Sequence, residues 1–286
     1  MNLPGASSPS SGRDLMVASR AALLDALEAL EAHRNAVIVI GAQAIYLQTT
    51  ASPVALAEAT KDSDLAIDPR ELLEDPKVEE AMKRARFYPN PVRGNPGEWM
   101  SPAGVPVDLM VPEAVAGPGG PTARGARIPP HDKRATRRAV GLEAALVDNE
   151  KLVVTALDPA DDRAYRIRVA GLAALLVAKL HKLGERASRD PRRLNDKDAH
   201  DVYRILVDSP TDVMAAKLDR LLADELSREV TEAALEYLDG LFASGPGAVG
   251  AMMAGRAEEG VGNPDFVSQS VSFLASDLVR AVGEPK

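Results

Sequence analysis

Residues 36–48 read AVIVIGAQAIYLQ, a continuous β-branched run that passes through a single glycine into a stretch with helical spacing. Such a run marks a strand covered on both faces, because alternation with polar residues disappears when neither face meets water. The chain must therefore hold a sheet with layers on both sides, and it must turn sharply at Gly41 to start the helix. A helix begun this way leaves its first backbone N–H groups without intrahelical partners, and an anion satisfies them. Aromatic residues make up only 3% of the chain, so the core around this strand is built from Leu, Val, Ile and Ala.

The next strand-like segment, KDSDLAID at residues 61–68, carries Asp62 and Asp64 one residue apart. Alternate residues of a strand share a face, so the two carboxylates are expected side by side, each raising the other's pKa unless a cation lies between them. A hard divalent ion such as magnesium suits oxygen donors of this kind. Spacing alone is weak, because Asp196 and Asp198 repeat it in the same chain. Further on, GEWMS and VPVDLMV predict a hairpin about Pro102 and Gly104. The second of these strands holds Asp108 among apolar residues, where an acid needs a partner or a ligand. KVEEAMKRARF predicts a helix with Asp75 and Pro76 as its cap and first turn. AGPGGPTARGARIPPH is a long Gly/Pro loop, and KLVVTAL and YRIRVA predict two more strands.

From Gly171 onward the spacing is helical. LAALLVAKLHKLGERA predicts one helix with Lys179 and Lys182 near its far end. NDKDAHDVYRILV predicts another, capped by Asn195 or Asp196, with Asp198 and Asp201 one turn apart. Three more helices are expected near 210–223, 226–243 and 264–283, with breaks at ASGPGAVGAMMAG and EEGVGNP. Lys179 has Leu175 and Leu176 at its preceding turn, so it is expected to face solvent and reach outward. The reading is an α+β protein: a mixed sheet with helices over residues 1–165, including a disordered tail at 1–12, followed by a helical domain over 166–286.

Composition narrows the chemistry. With no cysteine, disulfides, thiolate metal sites and a cysteine nucleophile are excluded. No apolar run reaches the ~18 residues of a membrane span, and the opening residues lack the apolar core of a secretory signal, so a cytoplasmic protein is expected. The four histidines show no ligand spacing, and no serine has a nearby His–Asp pair. Trp99, Tyr165 and Tyr203 read as core or edge residues. A net charge of -8 argues against a generic nucleic-acid coat. Two basic clusters, Arg124 to Arg138 and Lys179 to Lys197, nevertheless suit a phosphate-bearing partner.

A strand entering a Gly-led helix, a strand bearing Asp62 and Asp64, and a later strand bearing Asp108 form, in that order, the equipment of nucleotidyl transfer. This half resembles the DNA polymerase β-like nucleotidyltransferase superfamily. Residues 175–206, LLVAKLHKLGERASRDPRRLNDKDAHDVYRIL, resemble the signature of the AbiEii-type nucleotidyltransferase toxins, of the mycobacterial MenT-like kind in size. The resemblance implies a magnesium-dependent enzyme with a two-metal site that transfers nucleotides from an NTP to the 3′ end of tRNA and blocks translation. It also implies a cognate antitoxin. Gly41 corresponds to the first glycine of the family's motif, and Ala42 stands where relatives carry glycine or serine. Asp62 and Asp64 match the metal pair, Asp108 the third carboxylate, and Lys179 the lysine at the triphosphate. Asp198 and Asp201 match later acidic positions, and Thr60 and Lys182 complete the nucleotide-binding set. Where relatives have Arg-x-Thr before the metal pair, this chain has Glu58-Ala59-Thr60. The alternatives are the same chemistry on a small-molecule or protein hydroxyl, and a catalytically silent nucleotide- or partner-binding module.

Overall fold

Val37, Ile38 and Val39 have no solvent contact at all, and with Ile40 they form β1 (Val37–Ile40) in the middle of a mixed sheet. The computed structural model describes residues 12–50, 54, 61–92, 94–120 and 122–283. The expected tail up to Ser11, the Pro53 loop and Thr60 lie outside these residues, while Gly12, the last residue assigned to that tail, is already helical. On one side β1 pairs antiparallel with β2 (Ser63–Ile67), and on the other it pairs parallel with β8 (Ala164–Ala170). Beyond β8 lies β7 (Asn149–Thr155), antiparallel to it. Beyond β2 come β5 (Pro106–Pro112), parallel to β2, then β4 (Glu98–Met100) and β3 (Tyr88–Pro89), each antiparallel to its neighbour. The strand β6 (Arg137–Ala139), which follows the expected Gly/Pro loop and is not foreseen in the sequence, pairs with β5 where β4 stops.

Among the described residues, the sheet-bearing part holds the helices α1 (Gly12–Ala29), α2 (Gly41–Gln48), α3 (Val78–Arg84) and α4 (Glu143–Val147). The cap of α3 is Lys77, not Asp75, and its first N–H, on Val78, donates to His131 Nδ1 at 3.1 Å. Helices take over at Gly171, just after the last strand, with α5 (Leu172–Arg189) and α6 (Asp196–Asp208). They continue through α7 (Thr211–Ala223), α8 (Arg228–Leu238), α9 (Val249–Arg256) and α10 (Pro264–Ala281). Asn195 caps α6, its side chain accepting from Lys197 N–H, as the sequence implied. The helix α9 corrects the expected break. Its glycines are poor helix formers, but a methyl group at Gly250 would strike the Phe242 ring and one at Gly255 would strike Ser268, so close packing outweighs propensity there.

One continuous apolar core runs from the sheet into the helices. Polar contacts reinforce the junction. Asp148 Oδ2 accepts from Ala174 N–H at 3.2 Å and occupies the start of α5. Buried Arg204 of α6 donates to Thr49 Oγ1 at 2.6 Å, to Thr49 O at 2.7 Å and to Val54 O. Thr49 is the residue that ends α2, so a cation meets the negative end of that helix and fixes it to α6. No helix among the described residues is long and apolar enough to cross a membrane.

Candidate active site

The register of β1, β2 and β5 places Ile40 opposite Asp64 and Asp64 opposite Asp108. Directly paired residues on neighbouring strands share a face, so the two aspartates stand adjacent at the sheet end that runs into α2. Asp62 is exposed and lies just before β2 rather than inside it, a correction to the side-by-side strand pair read from the sequence. It still acts on its neighbour. The Asp64 carboxyl is pushed up to about 7, first by burial, then by the charges of Asp62 and Asp108, against the pull of Lys182 and Lys179. Asp108 is fixed by Arg137, whose Nη2 donates to its Oδ2 at 2.9 Å.

Gly41 begins α2 with φ at +68°, and a methyl group there would lie 2.1 Å from Asp64 Oδ2. Two demands therefore fall on one residue: a left-handed backbone and no side chain. Gly41→Ala should cost about 1–2 kcal/mol from the backbone alone and displace Asp64 as well. We expect it to lower both Tm and any transfer activity. A variant with wild-type activity would show that Asp64 need not rest against this turn. Ala42 is buried, so its side chain offers nothing to a ligand and only its backbone remains.

The helical part supplies the opposite wall. Lys179, 8% exposed, lies between Asp198 and Asp201, with Nζ 2.7 Å from Asp198 Oδ1 and 2.7 Å from Asp201 Oδ2. This overturns the solvent-facing lysine expected from local spacing, because its carboxylates come from the next helix. Asp198 also accepts from Lys182 Nζ at 2.8 Å and from Arg186 Nη1 at 3.1 Å. Burial alone would raise the Asp198 pKa, yet Lys179 and Lys182 hold it well below the ordinary carboxylate range. Burial likewise works against charge on Lys179, and Asp198 and Asp201 overcome it, keeping that pKa above the ordinary lysine range. Lys182 differs from Lys179 in having 44% of its side chain exposed. Much of the second basic cluster is therefore spent on internal pairing. Tyr46 of α2 joins the two walls: its phenol pKa is driven up by burial and by Asp201, with Asp62 adding to the rise.

A buried polar network that the sequence did not reveal holds the Asp62 turn. Arg20 Nε donates to Gln43 Oε1 at 2.9 Å, Gln43 Nε2 to Ser19 Oγ at 2.6 Å, and Ser19 Oγ to the Asp62 carbonyl at 3.0 Å. Ser63 Oγ closes the loop by donating to Ser19 O at 2.9 Å. In the first basic cluster, Arg137 and Arg138 turn inward, to Asp108 and Glu113. Arg124, Arg127, Lys133 and Arg134 instead line a surface cavity of about 480 Å³ beside the Gly94–Gly97 turn.

No protein-family model matches the chain, and no curated protein matches it. Among solved structures it is similar to an antigenic nucleotidyltransferase-like protein from Paracoccidioides brasiliensis, with 16% identity and a TM-score of 0.39 over 79% of this chain and 94% of that one. It is also similar to JHP933 from Helicobacter pylori, with 12% identity and a TM-score of 0.33 over 88% of this chain and 96% of that one.

Proposed function

We propose that this chain is a magnesium-dependent nucleotidyltransferase that uses an NTP. The observation that carries the reading is Asp64: packed on Gly41 at the start of α2, paired in register with Asp108, and within the field of Lys182 and Lys179. Carboxylates crowded until one resists ionisation are the setting that a divalent cation relieves. The donors fit such an ion, being all oxygen, with Asp62, Asp64 and Asp108 as the holders of a one- or two-metal site. Among the described residues no three acidic or imidazole side chains are already gathered into a shell. When bound, the ion would neutralise phosphate charge and acidify the attacking hydroxyl. The protein's own part is to hold Asp108 through Arg137, to offer the first N–H groups of α2 to phosphate oxygens, and to set Lys182 opposite them.

The finer reading is a toxin of a toxin–antitoxin system acting in the cytoplasm on the 3′ end of tRNA. The surface cavity supports a phosphate-bearing acceptor, because its four basic residues make no ion pair among the described residues. Reversing Arg127 and Lys133 to Glu should weaken tRNA binding. It should also flatten the dependence of log K on log salt by roughly 0.7–0.9 for each phosphate no longer neutralised, while NTP binding survives. An unchanged slope would make the cavity an ordinary solvated surface. The activity itself is tested by incubating the protein with each labelled NTP and total tRNA and resolving the products on a gel. Label on tRNA supports the proposal. Label on a small molecule or on protein moves the acceptor, and no transfer with any NTP leaves a silent binding module.

A further inference from the structure

We infer that Glu98 is a fourth carboxylate of this site and a ligand for its divalent cation. The inference rests on the nucleotidyltransferase reading. Register carries the row of acids one strand further: Asp64 of β2 lies opposite Asp108 of β5, and Asp108 lies opposite Glu98 of β4. All three side chains therefore share one face of the sheet, in line across adjacent strands. Glu98 is only 5% exposed. Its Oε1 accepts from Asn95 Nδ2 at 2.9 Å, whereas its Oε2 is buried with no hydrogen-bond partner. The neighbouring cation, Arg137, is taken by Asp108 Oδ2 and Met110 Sδ. A buried carboxylate oxygen without a donor is costly, and its place beside Asp108 gives it a use when an oxygen-seeking ion arrives. Nothing in GEWMS signals this, because the role depends on which residue of β5 Glu98 meets.

The test is a manganese titration of the full chain without nucleotide, following the electron paramagnetic resonance signal of free Mn²⁺. Glu98→Gln keeps the acceptor for Asn95 and should weaken Mn²⁺ binding by about tenfold or more. Asp64→Asn should weaken it at least as much. In EDTA, Glu98→Gln should melt no lower than the wild type, and its Tm gain on adding Mn²⁺ should be smaller. If Glu98→Gln fails to fold, Glu98→Leu, which leaves no polar atom of its own buried, reports the same affinity. Wild-type Mn²⁺ affinity in the Glu98 variant, with loss in Asp64→Asn, overturns the inference and leaves the site reading standing. Wild-type affinity in both overturns the two together.

Discussion

Replacing Asp64 by asparagine is expected to lower nucleotide transfer by at least about 10³-fold, the upper range for loss of one electrostatic group at a reaction centre, while making the metal-free protein more stable at neutral pH. The second half follows from linkage. The folded pKa of Asp64, about 7, lies above its ordinary value of 3.8. Between those values the native state keeps a proton that the unfolded chain has released, so stability falls as pH rises through that window. Asparagine removes the penalty. The variant should therefore match the wild type near pH 4, pull ahead as pH rises, and hold its full lead above about pH 7. For a chain of this order of size each kcal/mol recovered raises Tm by about 2–4 °C. Melting both proteins in EDTA at pH 5 and pH 8 reads the effect directly. A lead that does not grow with pH would mean that Asp64 is neither desolvated by burial nor crowded by Asp62 and Asp108. Undiminished transfer would remove it from the chemistry.

Asp64 was legible because the signal is local. An unbroken β-branched run, a glycine and an acid inside an apolar segment are each visible within a few residues, and each reports burial or its violation. Asp108 was found in the same way. What stayed hidden depends on pairing. Glu98 acquires meaning only from its place opposite Asp108, and strand register cannot be read from a three-residue strand. Arg137 reads from sequence as part of a basic cluster suited to a phosphate-bearing partner, whereas β6 places it beside β5 and its side chain on Asp108. Arg204 meets Thr49 across 155 positions, and the Arg20–Gln43–Ser19 network joins α1 to α2 through buried side chains that composition treats as ordinary polar residues. The missed helix α9 has a different cause. Its glycines lower intrinsic propensity, and tertiary packing overrides that local preference.

Lys179 shows what such pairing does to a prediction. Helical spacing looks only one turn away, where Leu175 and Leu176 offer no charge, so the residue reads as a free arm. In the fold it is locked between two carboxylates of α6 with little solvent contact. Lys179→Met should therefore be a stability variant before it is a kinetic one. Removing one partner of a buried pair costs about 3–5 kcal/mol, and the lower end applies because Lys182 and Arg186 still face Asp198. A loss of about 3 kcal/mol corresponds to a Tm drop of roughly 6–12 °C. The pH dependence has a definite sign. Asp198 is held below its ordinary value of 3.8, so its contribution is present above about pH 4 and is lost as pH falls below it. The deficit of Lys179→Met should be full at pH 7 and shrink in stronger acid. Lys182→Ala should behave in the opposite way. Its partly exposed side chain contributes less than about 1 kcal/mol to folding, yet it is the first of the cations acting on Asp64, so transfer should fall by roughly 10²-fold. Measuring Tm and transfer for both variants side by side decides the assignment. A stable but inactive Lys179→Met would return the phosphate-binding role to Lys179, and a destabilised, still active one would establish it as the pin that holds α5 to α6.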